Sequence, residues 1–167
     1  KKELLVDPFL VEKEGDLNMY YAPHNEYINH RAKIIIVGIT PGWNQMKTAF
    51  EQWLESVEQH QNSEQLLKEV KKAASFSGSM RSNLIGMLDE IGVHEALHMT
   101  SSTSLFAEKR DLLHTTSIVK YPVFFQGKNY TGHRPSVHQS PLLSKHAFEI
   151  FPEELNQIQP PALVIPL

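Results

Sequence analysis

With 167 residues, a formal net charge of -3 and no cysteine, the sequence has the length of one domain, able to bury roughly 70% of the surface its unfolded chain exposes. The lack of cysteine excludes a disulfide framework, a thiolate zinc site and a cysteine-ligated iron–sulfur cluster, and no cofactor is expected. The negative balance gives no global attraction to nucleic acid, so any DNA contact has to rest on local Lys and Arg clusters.

No stretch approaches the roughly 20 consecutive apolar residues that span a bilayer, and the opening Lys1-Lys2-Glu3-Leu4-Leu5-Val6-Asp7-Pro8 has too short an apolar run for a secretory signal. The expectation is a cytoplasmic protein with no membrane partner. The chain opens on Lys1 rather than Met and stops in the apolar run Pro160 to Leu167, so it reads as a fragment lacking its C-terminal part.

Residues 1 to 32 mix short apolar pieces with Asp7-Pro8, Gly15-Asp16 and Tyr20-Tyr21-Ala22-Pro23, and read as irregular structure. Ile34-Ile35-Ile36-Val37 then has the profile of a strand buried on both faces of a parallel sheet. Turn chemistry follows in Gly38-Ile39-Thr40-Pro41-Gly42, and a helical pattern begins at about Thr48 with Phe50, Leu54 and Val57 on one face. A second helix is expected with Ser63 as cap and Leu66, Leu67, Val70 and Ala74 as its apolar stripe. After the break Ser77-Gly78-Ser79, a third places Leu84, Ile85, Leu88 and Ile91 inward and stops at Gly92.

Met99 to Ser104, rich in Ser and Thr, reads as a loop, and Leu112 to Val119 as the second strand. A long Gly- and Pro-punctuated segment leads to a helix over about 141–158, interrupted near Pro152, before the third strand Ala162-Leu163-Val164-Ile165. Strands alternating with helices argue for an α/β fold around a parallel sheet of these three strands. In such a sheet ligands bind beyond the carboxyl ends of the strands, which here are the turns after Val37, Val119 and Ile165.

The first of these turns, with two glycines and a stiffening proline, reads either as a site where backbone approaches a ligand or as a plain strand-to-helix turn. The second continues through Lys120-Tyr121-Pro122 into Phe124-Phe125-Gln126-Gly127-Lys128-Asn129-Tyr130-Thr131-Gly132-His133-Arg134-Pro135, where aromatics, amides and cations are interleaved. Such a segment can stack a flipped or single-stranded base beside phosphate-binding cations, or it can be a solvated loop with Phe124 and Phe125 in the core. None of the histidines forms the spaced pair on one helix that a metal site needs, and no metal is expected. Lys68, Lys71 and Lys72 read as one solvated helix face.

In order along the chain, these pieces resemble the uracil-DNA glycosylase superfamily over residues 33 to 167. Val37-Gly38-Ile39-Thr40-Pro41-Gly42 is similar to its first motif, Ser77 to Gly92 to the helix that follows, and Thr116-Ser117-Ile118-Val119-Lys120 to the segment written Thr-Asn-x-Val-Lys. Glu154 to Pro160 with Leu163-Val164-Ile165 resembles the helix and strand before the final motif. The resemblance implies a three-layer α/β sandwich with a central parallel sheet, and a DNA-repair enzyme that flips a damaged base such as uracil into a pocket and hydrolyses its N-glycosidic bond.

It also implies site residues. Thr40 and Ser117 occupy the two chemical positions, with Gly38, Ile39, Pro41, Gly42 and Asn44 around the pocket and Lys120, Lys128 and Arg134 on DNA phosphates. The departures fall on the chemistry. Thr40 stands where Asp or Asn positions water, and a hydroxyl is a poor general base. Ser117 stands where an Asn amide reads the base, and the His-Pro-Ser-like motif would lie after Leu167. Some members lack the acidic residue and stabilise the departing base electrostatically. Asn44 reads either as a substitute amide or as an exposed helix-start residue. Two readings stand: a glycosylase of altered substrate range, or an inactive nucleic-acid or nucleotide-binding module on the same fold.

Overall fold

The computed structural model describes residues 3–59 and 62–167; Lys1 and Lys2, part of the opening stretch considered above, lie outside it. In chain order the elements are β1 (Leu10–Glu14), β2 (Leu17–Tyr20), β3 (Ile34–Gly38), α1 (Trp43–Ser56), α2 (Ser63–Ala74), α3 (Ser79–Glu90), α4 (Val93–Ala96), β4 (Leu113–Ser117), β5 (Val123–Phe125), β6 (Lys128–Asn129), α5 (Pro141–Lys145), α6 (Phe151–Leu155) and β7 (Leu163–Pro166). They build two sheets: a parallel one of order β4-β3-β7 and an antiparallel one of order β1-β2-β5-β6.

The parallel sheet is the one expected, with Ile34 opposite Leu113 on one side and Leu163 on the other. Strand alternation explains why β3 is apolar throughout. Ile34 and Ile36 pack with Leu84 and Leu88 of α3, while Ile35 and Val37 pack with Phe151, Leu155 and Ile158. Strand β4 is buried at every position, yet four of its five side chains are polar. Burial of polar groups is tolerated when they are hydrogen-bonded. His114 Nε2 lies 2.9 Å from Glu154 Oε1 of α6, and the Thr115 hydroxyl lies 2.7 Å from that of Ser75.

The antiparallel sheet corrects the reading of residues 1 to 32 as irregular and of 120 to 135 as loop. Two-residue turns make both hairpins. Gly15-Asp16 joins β1 to β2 with Gly15 at φ 55, and Gln126-Gly127 joins β5 to β6 with both residues at positive φ. These are the turn geometries that match strand twist. The two tips are tied together, since the Gln126 side-chain amide donates to Asp16 Oδ2 over 2.8 Å. Phe124 is core, packed with Ala22 and Met46.

Three helices differ from expectation in detail. Helix α1 starts at Trp43 rather than Thr48 and buries Met46 and Ala49 with Trp53 against α2, leaving Leu54 and Val57 exposed. The cap of α2 is Asn62, whose Oδ1 accepts the Glu64 N–H, so Ser63 is the first helical residue. Helix α3 buries Leu84 and Leu88, but Ile91 is 68% exposed past its end, where Gly92 takes the left-handed conformation. The expected helix over 141–158 is split by a π turn at His146–Ile150, just before Pro152. Among the described residues no helix is long and apolar enough to cross a membrane.

Candidate functional site

The carboxyl ends of β3 and β4 finish side by side, with Gly38 opposite Ser117. The ladder runs on into both turns: Ile118 N–H donates to the Gly38 carbonyl and Val119 N–H to the Ile39 carbonyl, each over 2.9 Å. Thr40 completes the seam. Its hydroxyl donates to the Tyr121 carbonyl at 2.7 Å and accepts the Val123 N–H at 3.2 Å. The two turns singled out from the sequence are therefore one structure, and Thr40 is the side chain that joins them.

Beside this seam sits Phe76, which sequence reasoning passed over. It is 6% exposed, and its backbone lies at φ 49, a conformation that bulky residues rarely adopt. The cost of such a conformation is of order 1–3 kcal/mol and persists only where surroundings enforce it. Here they do. Arg81 donates to the carbonyls of Lys72, Ala73 and Ser75, closing the C-terminus of α2, while the Ser75 hydroxyl is held by Lys71, Thr115 and Arg110. A methyl group built on Gly38 would lie 3.6 Å from Ser117 Oγ and 3.8 Å from the Phe76 ring, which locates both side chains around this strand end.

A cavity lies at that point, lined by His24, Pro41, Gln45, Phe76, Thr116 and Ser117 among others. Its volume is about 10 Å³, the room of one water molecule. His24 is only 3% exposed, and its Nδ1 has no hydrogen-bond partner; the Thr116 hydroxyl is likewise buried and unpartnered. Burial, with the Lys71 charge adding to it, pushes His24 down to about 3, so its ring is neutral at physiological pH.

His24 is brought there by the turn Pro23–Asn25. Asn25 donates through Nδ2 to the Lys120 carbonyl at 2.7 Å and accepts from Lys71 Nζ at 2.9 Å. Glu26 takes Lys120 Nζ at 2.9 Å and the Tyr121 hydroxyl. Lys71 is thus 2% exposed, not part of a solvated face, and burial lowers its pKa to about 7 against the opposing pull of Glu154. Nothing local distinguishes it from Lys68 and Lys72; its partner is 46 positions away.

The remaining candidate residues divide. Pro41 lines the cavity, but Ile39 turns into the core around Val119 and Tyr130, and Asn44 is exposed, with Gln45 at the cavity instead. Gly42 opens α1 without a side chain to cap it. Asn129 supplies the cap from β6, accepting the Trp43 N–H at 3.1 Å, and a distant cap of this kind is why the helix start was not legible locally. Lys128 and Arg134 share a groove of about 360 Å³ with Phe125, Asn129, Tyr130 and His133. It adjoins the first turn, since a methyl on Gly132 would meet Ile39 Cδ1 at 2.7 Å. Lys120 stands apart from that groove, paired with Glu26.

A larger cleft of about 530 Å³, lined by Tyr27, His30, Glu64, Lys68 and Asp111, opens near the amino end of β4. Its mixed charges are partly spent in the 2.7 Å Lys68–Asp111 ion pair, and it is at the wrong end of a parallel sheet for the usual ligand position. Among the described residues no group of three or more His, Asp or Glu could hold a metal ion.

Over all 167 residues the chain is 54% identical to a Bacillus subtilis (strain 168) protein, the uncharacterized protein YoxB, and it spans 65% of that protein's length. No protein-family model matches the chain. No solved structure matches it.

Proposed function

We propose that the chain is a base-recognising, DNA-binding domain of the uracil-DNA glycosylase-like kind, a three-layer α/β sandwich acting in the cytoplasm. The observation that carries this reading is Phe76, a buried aromatic in a strained backbone conformation beside the joined ends of β3 and β4. Strain of this kind collects at ligand sites, and an aromatic face flanked by small polar groups is what an extrahelical base requires. The neighbouring groove supplies Lys128 and Arg134 for the sugar-phosphate chain.

Recognition is better supported than hydrolysis. Both hydrogen-bonding capacities of Thr40 used in the seam are structural, and the residues around the cavity include no carboxylate to activate water. Glycosidic hydrolysis of a damaged base such as uracil is the second reading. It is favoured by the two buried, unpartnered groups His24 and Thr116 at the cavity, which could hydrogen-bond a departing base.

Titrating full-length protein into short single-stranded oligonucleotides with and without one uracil or hypoxanthine, and scoring abasic sites by alkaline cleavage, tests both. The expected result is preferential binding of the modified oligonucleotides without strand cleavage. Abasic sites made by wild type and not by a Ser117→Ala, His24→Ala double variant would establish the enzyme reading. No binding to any oligonucleotide at low salt would overturn the proposal.

A further inference from the structure

We infer that His24 reads the bound base, donating a hydrogen bond from Nδ1 to an exocyclic carbonyl oxygen that occupies the small cavity between Pro41, Phe76 and Ser117. The inference rests on the base-recognition reading above and gives it a specificity: oxygen-bearing bases such as uracil and hypoxanthine over their amino counterparts, cytosine and adenine.

Three observations converge on it. Buried polar atoms without a partner are rare in folded proteins and mark places where a ligand or water completes the bonding; His24 Nδ1 is one, in a side chain lining this cavity. The cavity holds about 10 Å³, which admits one oxygen-sized group and no ring. A base therefore inserts only the edge of its heterocycle, with the ring outside. The third observation is the charge behind the imidazole. Lys71 acts on His24 electrostatically, and a buried cation favours an electron-rich atom in the cavity over the hydrogens of an amino group. A neutral imidazole with its proton on Nδ1 meets a carbonyl as donor to acceptor, and an amino group as donor to donor.

The placement of His24 is itself constructed. Asn25, next in the chain, is clamped between Lys71 Nζ and the Lys120 carbonyl, so the turn that carries the imidazole is fixed to the strand end that carries Ser117. His24 is also outside the stretch that resembles the glycosylase superfamily, and takes up in space the reading role that the resemblance would assign to an amide at position 117.

The test uses full-length protein and three single-stranded oligonucleotides, identical except for one central residue: a hydrolysis-resistant 2′-fluoro-deoxyuridine, the matching 2′-fluoro-deoxycytidine, or an abasic analogue. Wild type is expected to bind the uracil probe best. His24→Ala should lower uracil affinity by about three- to tenfold, the loss of one neutral hydrogen bond, to the level of cytosine, with abasic affinity unchanged. His24→Gln, which keeps a side-chain donor, should recover part of the preference. If wild type binds all three probes alike, base recognition itself fails. If wild type prefers bases to the abasic probe but treats uracil and cytosine alike, or if His24→Ala keeps the uracil preference, base recognition stands and the role of His24 is overturned. A uniform weakening on all probes, with a lower urea midpoint, would make His24 structural and also overturn it.

Discussion

Lys71 Nζ donates a 2.9 Å hydrogen bond to Asn25 Oδ1 with both side chains buried, and Asn25 passes the connection to the backbone of Lys120. A buried amine that loses its acceptor keeps its desolvation penalty. Asn25→Ala should therefore destabilise the protein by about 1.5–3 kcal/mol, the range for hydrogen bonds to charged groups. Urea unfolding at pH 7 measures it; a midpoint equal to wild type would show that the clamp contributes nothing.

Acid stability follows from two histidines. Burial, foremost, holds His24 at about 3 and His114 at about 4, against 6.5 for an unperturbed side chain. Lys71 also opposes protonation at both, Arg110 does so at His114, and Glu154 favours it there. Above pH 6.5 neither folded nor unfolded chain protonates them, and stability is flat in this respect. As pH falls below that value, the unfolded chain binds protons that the folded one refuses, so stability declines progressively until the folded pKa values are reached. Urea midpoints between pH 6.5 and 4.5 should fall in wild type, and His24→Asn should remove about one proton's share of that slope. A variant slope equal to wild type would mean that His24 is not the group titrating.

The three cations proposed for DNA from sequence would give a salt slope near -3, at about 0.9 per phosphate on duplex. Lys120 is engaged with Glu26 at 2.9 Å and stands over the Tyr121 ring, which leaves Lys128 and Arg134. The expected duplex slope is therefore about -2, with each of Lys128→Ala and Arg134→Ala removing about 0.9 and Lys120→Ala leaving the slope unchanged. Equal losses from all three substitutions would put Lys120 back on the phosphate surface.

Thr40 is predicted to matter for folding. Thr40→Val removes one donor and one acceptor from the seam and should cost about 1–3 kcal/mol, while Thr40→Ser keeps both. Thr40→Asp, which installs the superfamily's carboxylate, loses the donor to the Tyr121 carbonyl and should produce no abasic sites. Cleavage gained by that variant would show that the turn can host a general base after all.

The parallel core was legible because its strands announce themselves locally: Ile34 to Val37 can only be buried on both faces, and the turns after it and after Ser117 are bound to meet if the two strands are neighbours. The antiparallel sheet was not, because β2 finds β5 across a hundred positions, although the turn signals Gly15-Asp16 and Gln126-Gly127 were present. Lys71 was misread for a related reason. A lysine among lysines looks solvated, and only Asn25, in a turn with no strong pattern of its own, reveals otherwise. Phe76 and His24 carry no local mark of function; their significance is positional.

The π turn at His146–Ile150 sets a rotational phase. It takes up one residue more than an α-turn, placed where Pro152 has no N–H to continue the ladder. Removing a single residue there would turn everything downstream by about 100° and draw it back by about 1.5 Å. Glu154 would swing away from His114, leaving a buried imidazole facing hydrocarbon, and Leu155 and Ile158 would leave Ile35 and Val37. Phe148 and Glu149 are exposed and can change identity at little cost, yet neither can be deleted. What this short stretch conveys to the sheet is a count of residues rather than their chemistry.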